Sequence, residues 1–282
     1  MKPALFAYHR ATTADHALDL LTRLAPEGGR ILAGGQSLVP LMALRLAQPA
    51  HLIDINRVSF GVLRVEDGFL CVPATARHGA MGAAPGALGP ALAHIASHIA
   101  HLPIRSRGTV CGSLAHADPS AEWPLVFATL GGEAVLRSAR ETRRVAAGAF
   151  VLDVMTTALA EDEMLTEVRL ALPDPAMRMG FYEVSRRAGD YAMAMAVVML
   201  RLEGDVVAEA RIGVGGAERR SRRIATAEAA LTGATWGATA IDRAADAASA
   251  AIDPMEDVQV SAGLRRDLVR TCVRRALNRA GA

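Results

Sequence analysis

Two short glycine-containing turns carry the residues best suited to chemistry. The first is Ala33-Gly34-Gly35-Gln36-Ser37, directly after the apolar pair Ile31-Leu32. The second is Thr109-Val110-Cys111-Gly112-Ser113, after the basic stretch Arg105-Ser106-Arg107. Glycine lets the main chain approach a ligand closely, and N–H groups turned outward between a strand and a helix suit phosphate. Gln36 and Ser37 add side-chain donors of the same kind. Two such turns can grip the two phosphates of one dinucleotide. Asp118 and Glu122 follow the second turn, and carboxylates accept hydrogen bonds from ribose hydroxyls in other dinucleotide sites. The first turn has neither GxGxxG nor GxxxxGK[ST] spacing. For each turn the competing explanation is therefore a simple chain reversal. Asp118 is also a natural turn-former before Pro119, and Glu122 a favourable first-turn helix charge.

Other chemistries are poorly supplied. The cysteines are Cys71, Cys111 and Cys272, an odd and sparse set that argues against a disulfide framework and fits a reducing cytoplasm. No CxxC pair exists from which to build a zinc ribbon or an iron–sulfur cluster. His94, His98 and His101 share a helical spacing but lack a carboxylate or thiolate to complete a metal shell, so they read as a polar helix face. Met193, Met195 and Met199 alternate along a strand, as core residues do. No nucleophile elbow with a Ser-His-Asp order is visible. The 31 basic and 29 acidic side chains give a net charge of +2, which offers no reason to expect nucleic acid or an anionic membrane. The arginines of Glu218-Arg219-Arg220-Ser221-Arg222-Arg223 read as a solvated or subunit-contact surface. The start, Met1-Lys2-Pro3-Ala4-Leu5, lacks a signal-peptide core, and the most apolar stretch, Ala192 to Leu200, is too short to span a bilayer.

The elements that must position the turns follow from patterning. A helix over 12–25, capped by Thr12 or Thr13 and stopped at Gly28-Gly29, precedes a strand from Arg30 to Ala33. Ser37 is expected to cap a helix through Leu46, with Pro40 in its first turn. A strand at His51–Ile55 comes next, then a hairpin from Val62 to Val72 turning at Glu66-Asp67-Gly68. Leu88 to His101 is helical in pattern, Pro103 to Ser113 reads as loop, Glu122 to Leu130 as helix, and Glu133 to Val145 as a polar hairpin. Pro173-Asp174-Pro175 is the best linker. Beyond it, Phe181–Arg186, Ala192–Leu202 and Val206–Val214 predict three antiparallel strands. Helices at about 222–231, 238–251 and 262–279 follow, the last with a clear apolar stripe. Mixed hairpins and helices predict an α+β chain.

Three segments carry a resemblance, in one order and spacing: Ala33-Gly34-Gly35-Gln36-Ser37-Leu38, Arg107-Gly108-Thr109-Val110-Cys111-Gly112-Ser113 and Ser185-Arg186-Arg187-Ala188-Gly189-Asp190-Tyr191-Ala192. With them the chain resembles, over essentially its whole length, the FAD-binding medium subunit of molybdenum-containing hydroxylases of the carbon monoxide dehydrogenase and xanthine dehydrogenase type. The resemblance implies a two-part FAD-binding domain of the vanillyl-alcohol-oxidase type over residues 1–174, split near 55–60. A C-terminal domain of three antiparallel strands and helices would occupy 175–282. It implies that Ile31, Leu32, Ala33, Gly34, Gly35, Gln36, Ser37 and Leu38, with Thr109, Val110, Cys111, Gly112 and Ser113, hold the FAD pyrophosphate. Glu122 would contact the adenosine half, Leu165 would contact FAD through its backbone, and Asp190 and Tyr191 would lie near the isoalloxazine. Met193 falls where some relatives place a lysine near the flavin. The implied partners are a large molybdopterin subunit and a small subunit with two [2Fe-2S] clusters, in a cytoplasmic heterotrimer. The implied function is electron transfer from those clusters through FAD to an external acceptor. One departure matters: the family usually reads Thr-Ile-Gly-Gly at the second turn, and Cys111 replaces the first glycine. Its φ is expected to be negative and its thiol to point away from FAD. The rival readings are a flavin-free assembly subunit of the same complex and a stand-alone FAD oxidase, which would need acid–base residues that the chain does not display.

Overall fold

A computed structural model describes residues 2–281. Met1 and Ala282, the outer ends of the two expected domains, lie outside the described residues.

The chain opens with a small parallel sheet of three strands, β1 (Ala7–Arg10), β2 (Gly29–Leu32) and β3 (His51–Asp54), in the order β1-β3-β2. Helix α1 (Ala14–Leu24) covers it. Thr13, not Thr12, is the cap, accepting from the His16 N–H at 3.0 Å, and Ala17, Leu18, Leu20 and Leu21 form the buried stripe. Helix α2 (Leu38–Ala43) follows β2. The expected Ser37 cap is not made: Ser37 is already in helical geometry (φ −104°, ψ −51°) and its hydroxyl bonds no backbone N–H of the helix. The helix also stops three residues short of Leu46, because Arg45 adopts a left-handed φ of 59°.

A five-stranded antiparallel sheet comes next, ordered β4-β5-β10-β6-β7. It comprises β4 (Arg64–Glu66), β5 (Phe69–Pro73), β6 (Gly132–Arg137), β7 (Thr142–Ala146) and β10 (Met164–Ala171). The β4–β5 hairpin turns at Asp67 and Gly68, both with positive φ (50° and 78°), the geometry that matches strand twist. Helices α3 (Leu88–His98), α4 (Leu102–Arg105), α5 (Val110–His116), α6 (Glu122–Leu130) and α7 (Ala147–Phe150) accompany it, with a short hairpin of β8 (Val151–Asp153) and β9 (Thr156–Thr157). The loop expected from Pro103 to Ser113 is overturned, since this stretch contains α4 and the start of α5. Pro103 sits in the first turn of α4, where its missing N–H is harmless. Thr109 caps α5 by accepting from the Gly112 N–H at 3.0 Å.

The C-terminal part is a sheet of four strands, β11 (Arg178–Ser185), β12 (Ala192–Glu203), β13 (Val206–Gly215) and β14 (Arg222–Arg223). The fourth strand, missing from the sequence-based expectation, replaces the first two residues of the helix expected at 222. The helices are α8 (Ala225–Leu231), α9 (Ala238–Ala251) and α10 (Ala262–Gly281). Strand β12 is buried on both faces, which explains its unbroken apolar run. Met195, Val197 and Met199 face the core shared with α3 and α6, whereas Ala194, Ala196, Val198 and Leu200 face α8–α10. Each large side chain so buried contributes roughly 1.5–3 kcal/mol. Among the described residues, no helix is long and apolar enough to cross a membrane.

Candidate functional site

The two turns meet. Gly34 lies directly against the backbone that enters the second turn: a Cβ there would sit 2.4 Å from the Arg107 carbonyl oxygen and 2.6 Å from Gly108 Cα. Only glycine permits this approach. Gly35 takes the left-handed φ of 73° that reverses the chain. A hydrogen-bonded bridge fastens the two turns from behind. Asn56 donates through Nδ2 to the Ala33 carbonyl (2.6 Å), Arg77 donates to Asn56 Oδ1 (2.8 Å), and Arg77 also donates to the Arg107 carbonyl. The backbone of 76–78 straps the second turn, with Val110 N–H donating to Ala76 (3.1 Å) and His78 N–H to Gly108 (3.1 Å). Sequence reasoning did not find Asn56 or Arg77, and nothing in their local sequence marks them.

Beneath this junction lies a cleft of about 650 Å³. Of the candidate residues, Ile31, Leu32, Ala33, Gly34, Gly35, Gln36, Ser37, Leu38, Thr109, Cys111, Gly112, Ser113, Asp118, Glu122, Leu165, Asp190 and Tyr191 all line it. Val110 does not: its side chain is 1 % exposed and packs in the core behind the turn. Met193 also lies outside the lining, half-buried on β12. Contributions from β2, α5, α6, β10 and the loop before β12 are separated by up to 162 positions in sequence (from Gly29 to Tyr191). The cleft is also lined by Ile99, Ala100, Ile104, His78 and the stretch from Met155 to Met164, none of which sequence reasoning singled out.

The donor set suits an anion. The N–H groups of Gly34, Gly35, Gln36 and Ser37 have no acceptor among the described residues, and the segment lines the cleft. The Gln36 amide donates to the Gly34 carbonyl at 3.0 Å and braces the turn. Cys111 lies in the first turn of α5 with ordinary helical geometry, and its thiol packs inward at 3.5 Å from the Val72 carbonyl. Burial pushes that thiol far above the usual range. The added Cβ is therefore accommodated on the core side.

Glu122 opens α6 at the cleft wall, 8 % exposed. Burial pushes its carboxyl up to about 8, with the Glu183 and Asp118 carboxylates adding to the effect. Burial likewise raises Glu183 to about 7, and Glu183 Oε2 has no hydrogen-bond partner among the described residues. Burial and the neighbouring carboxylates thus favour the protonated form of Glu122. It is expected to accept from ribose hydroxyls, but a protonated carboxyl also donates. Asp118 closes a local turn by accepting from the Ser120 N–H at 2.8 Å. Leu165 is buried on β10 where the pairing with β6 shifts register between Leu165 and Glu167, a bulge that bends the strand at the cleft. Asp190 and Tyr191 are exposed at the mouth, Tyr191 at 73 %.

Elsewhere, His94 and His98 pack their rings against Phe181, and Arg279 reaches His94 at 3.2 Å. Arg219, Arg222 and Arg223 pair with Asp153, Glu218 and Glu228. Among the described residues, no group of three or more His, Cys, Asp or Glu side chains is placed to hold a metal ion.

Comparison with known proteins identifies the family. The family model described as the FAD binding domain in molybdopterin dehydrogenase matches residues 4–173. The CO dehydrogenase flavoprotein C-terminal domain matches residues 180–280. The nicotine 6-hydroxylase medium subunit of Paenarthrobacter nicotinovorans is 35% identical over 295 residues, covering 100% of this chain and 99% of its own. The carbon monoxide dehydrogenase medium chain of Hydrogenophaga pseudoflava is 33% identical over 285 residues, with 100% and 99% covered. A solved structure of carbon monoxide dehydrogenase from Hydrogenophaga pseudoflava, lacking the Mo-pyranopterin moiety of its cofactor, superposes with a TM-score of 0.94 at 34% identity, covering 100% and 99%. Quinoline 2-oxidoreductase from Pseudomonas putida 86 superposes with a TM-score of 0.93 at 33% identity, covering 99% and 98%.

Proposed function

The chain belongs to the family of FAD-binding medium subunits of molybdenum-containing dehydrogenases, an oxidoreductase subunit with an FAD-binding and a C-terminal domain, and on that premise we propose that it passes electrons from [2Fe-2S] clusters on a partner chain to an external acceptor. One observation carries this function: two glycine turns converge on one cleft, and the first presents main-chain donors there that have no acceptor among the described residues. FAD, when bound, supplies the redox chemistry. The chain supplies the seat. Ile31 to Leu38 and Thr109 to Ser113 hold the diphosphate, with Val110 anchoring the second turn from the core. Asp118 and Glu122 take the adenosine half, and Leu165, Asp190 and Tyr191 border the isoalloxazine. No residue of the chain is assigned a proton transfer to substrate.

The domains implied are 1–174, of the vanillyl-alcohol-oxidase type with a division near 55–60, and 175–282. The complex implied is a cytoplasmic heterotrimer with a large molybdopterin subunit and a small iron–sulfur subunit. A flavin-free subunit would draw its support from Cys111 at the second turn, but the Cys111 thiol faces the core and leaves the turn free to hold a ligand. The test is purification from the native host, with flavin and metal analysis and mass spectrometry of co-eluting chains. One FAD per copy, with molybdenum and iron on two co-eluting chains, is the expected result. Colourless protein that stays colourless with added FAD would refute the assignment.

A further inference from the structure

His78 is buried at 5 % exposure, yet it lines the cleft. It sits where the two turns meet. Trp123, itself 1 % exposed, donates its indole N–H to His78 Nδ1 at 2.8 Å. An indole N–H can only donate, so Nδ1 must present a lone pair. The neutral ring then carries its proton on Nε2. That tautomer follows from the identity of the partner, without appeal to any titration.

The Nε2–H has no acceptor among the described residues. It faces the open side of Gly108, where a Cβ would sit 2.4 Å from Nε2 and 3.1 Å from the Ile104 carbonyl. A side chain at 108 would close this edge, and glycine keeps it free. The charged groups beside the ring are Arg77 and Arg105. Burial, together with these two cations, lowers the imidazole to about 4, so the neutral form persists across the physiological range. His78 lines the cleft and its Nε2–H is not sealed in the core, so a ligand in the cleft can take it.

We propose that His78 is a nucleotide-binding residue whose Nε2–H donates a hydrogen bond to a diphosphate oxygen of the bound dinucleotide, and that Trp123 is the positioning residue that fixes the required tautomer. The ligand class is a nucleoside diphosphate moiety, and the proposal rests on the assignment of the cleft to FAD. Neither residue belongs to the glycine turns themselves. His78 reaches the site only because the 76–78 strap runs behind the second turn.

The test uses the full chain, freed of flavin, and three probes: FAD, ADP and riboflavin. His78→Leu removes the donor, whereas His78→Gln keeps an amide N–H near the Nε2 position. Trp123→Phe removes the tautomer lock. His78→Leu is expected to weaken FAD and ADP alike, by about tenfold or more, while riboflavin binding is unchanged. His78→Gln should recover most of that loss. Trp123→Phe should weaken ADP by a smaller factor, and nitrogen-15 spectra of the imidazole should show a second tautomer that is missing from the wild type. Wild-type affinity for ADP in His78→Leu would overturn the proposal. So would an equal loss for riboflavin, which carries no phosphate and would report a collapsed cleft. If His78→Leu does not fold, the ADP-to-riboflavin affinity ratio of Trp123→Phe decides in the same way. A wild-type chain that binds neither FAD nor ADP would instead overturn the assignment of the cleft itself.

Discussion

Gly34→Ala is the sharpest probe of the turn junction. The new Cβ would stand 2.4 Å from the Arg107 carbonyl oxygen and 2.6 Å from Gly108 Cα, where ordinary contact begins at 3.4 Å. Both neighbours are backbone, so no rotamer relieves the overlap. That backbone is itself held, since Gly108 N–H bonds Ile104 at 2.7 Å and the Gly108 carbonyl accepts from His78. The turns must part by about 1 Å. Overpacking of this kind costs on the order of 1–3 kcal/mol, or roughly 2–4 °C in melting temperature per kcal/mol for a chain of this size. A displacement of about 1 Å also takes donors on one turn out of the 2.7–3.2 Å hydrogen-bonding range. Losing one charge-assisted bond, worth roughly 1.5–3 kcal/mol, weakens FAD by about 10- to 100-fold. Gly35→Ala is the control. It strains a left-handed residue (φ 73°) by roughly 1–2 kcal/mol, but its Cβ meets only the side-chain tips of Leu32 and Val39, at 3.2 Å. It should therefore lower stability comparably while weakening FAD less. The assays are thermal melting by circular dichroism, flavin-to-protein absorbance after gel filtration, and FAD titration of the stripped chain. Wild-type flavin affinity and melting in Gly34→Ala would refute the steric reasoning, as would a larger flavin loss in Gly35→Ala.

Three further outcomes are expected. Arg77→Met removes the link between Asn56 and Arg107, and should reduce stability by about 1.5–3 kcal/mol and FAD affinity by about tenfold; unchanged urea unfolding and FAD binding would show that the bridge is idle. Glu122 has a folded-state value of about 8 against an unfolded value of 4.5, so the fold binds more protons between them. Its contribution is complete below about pH 4.5 and is lost as pH rises through 8, a fall on the order of a few kcal/mol that Glu122→Gln should flatten; parallel pH profiles of urea stability would contradict this. Cys71, Cys111 and Cys272 are all unpaired and buried, with burial pushing Cys111 far above the usual thiol range and Cys272 up to about 12. A thiol reagent should label none of them in the folded chain and all three in denaturant, and rapid labelling of folded protein would refute the inward orientation of Cys111.

Elements whose physics is local could be read from residue order alone. Thr13 caps α1 because a hydroxyl three residues before His16 satisfies its free N–H, and Asp67-Gly68 turn a hairpin because both tolerate positive φ. The period of Val269, Val273 and Leu277 buries one face of α10. The two glycine turns were legible for the same reason, since glycine at a strand–helix junction leaves a mark in composition. Helix α5 was not legible, because Thr109 caps it inside a stretch rich in Gly and Ser that reads as loop. Strand β14 was not either: two arginines pair with β13 only because that strand offers an edge. Tertiary structure alone decided that the turns meet, because Asn56 and Arg77 tie together carbonyls 74 positions apart (Ala33 and Arg107). It alone pushed the Glu122 carboxyl upward, since desolvation depends on what the fold lays over a side chain and not on its neighbours in sequence. Likewise, Trp123 and His78 carry no message 45 positions apart, and acquire one only when an indole N–H meets an imidazole in the dark of the core.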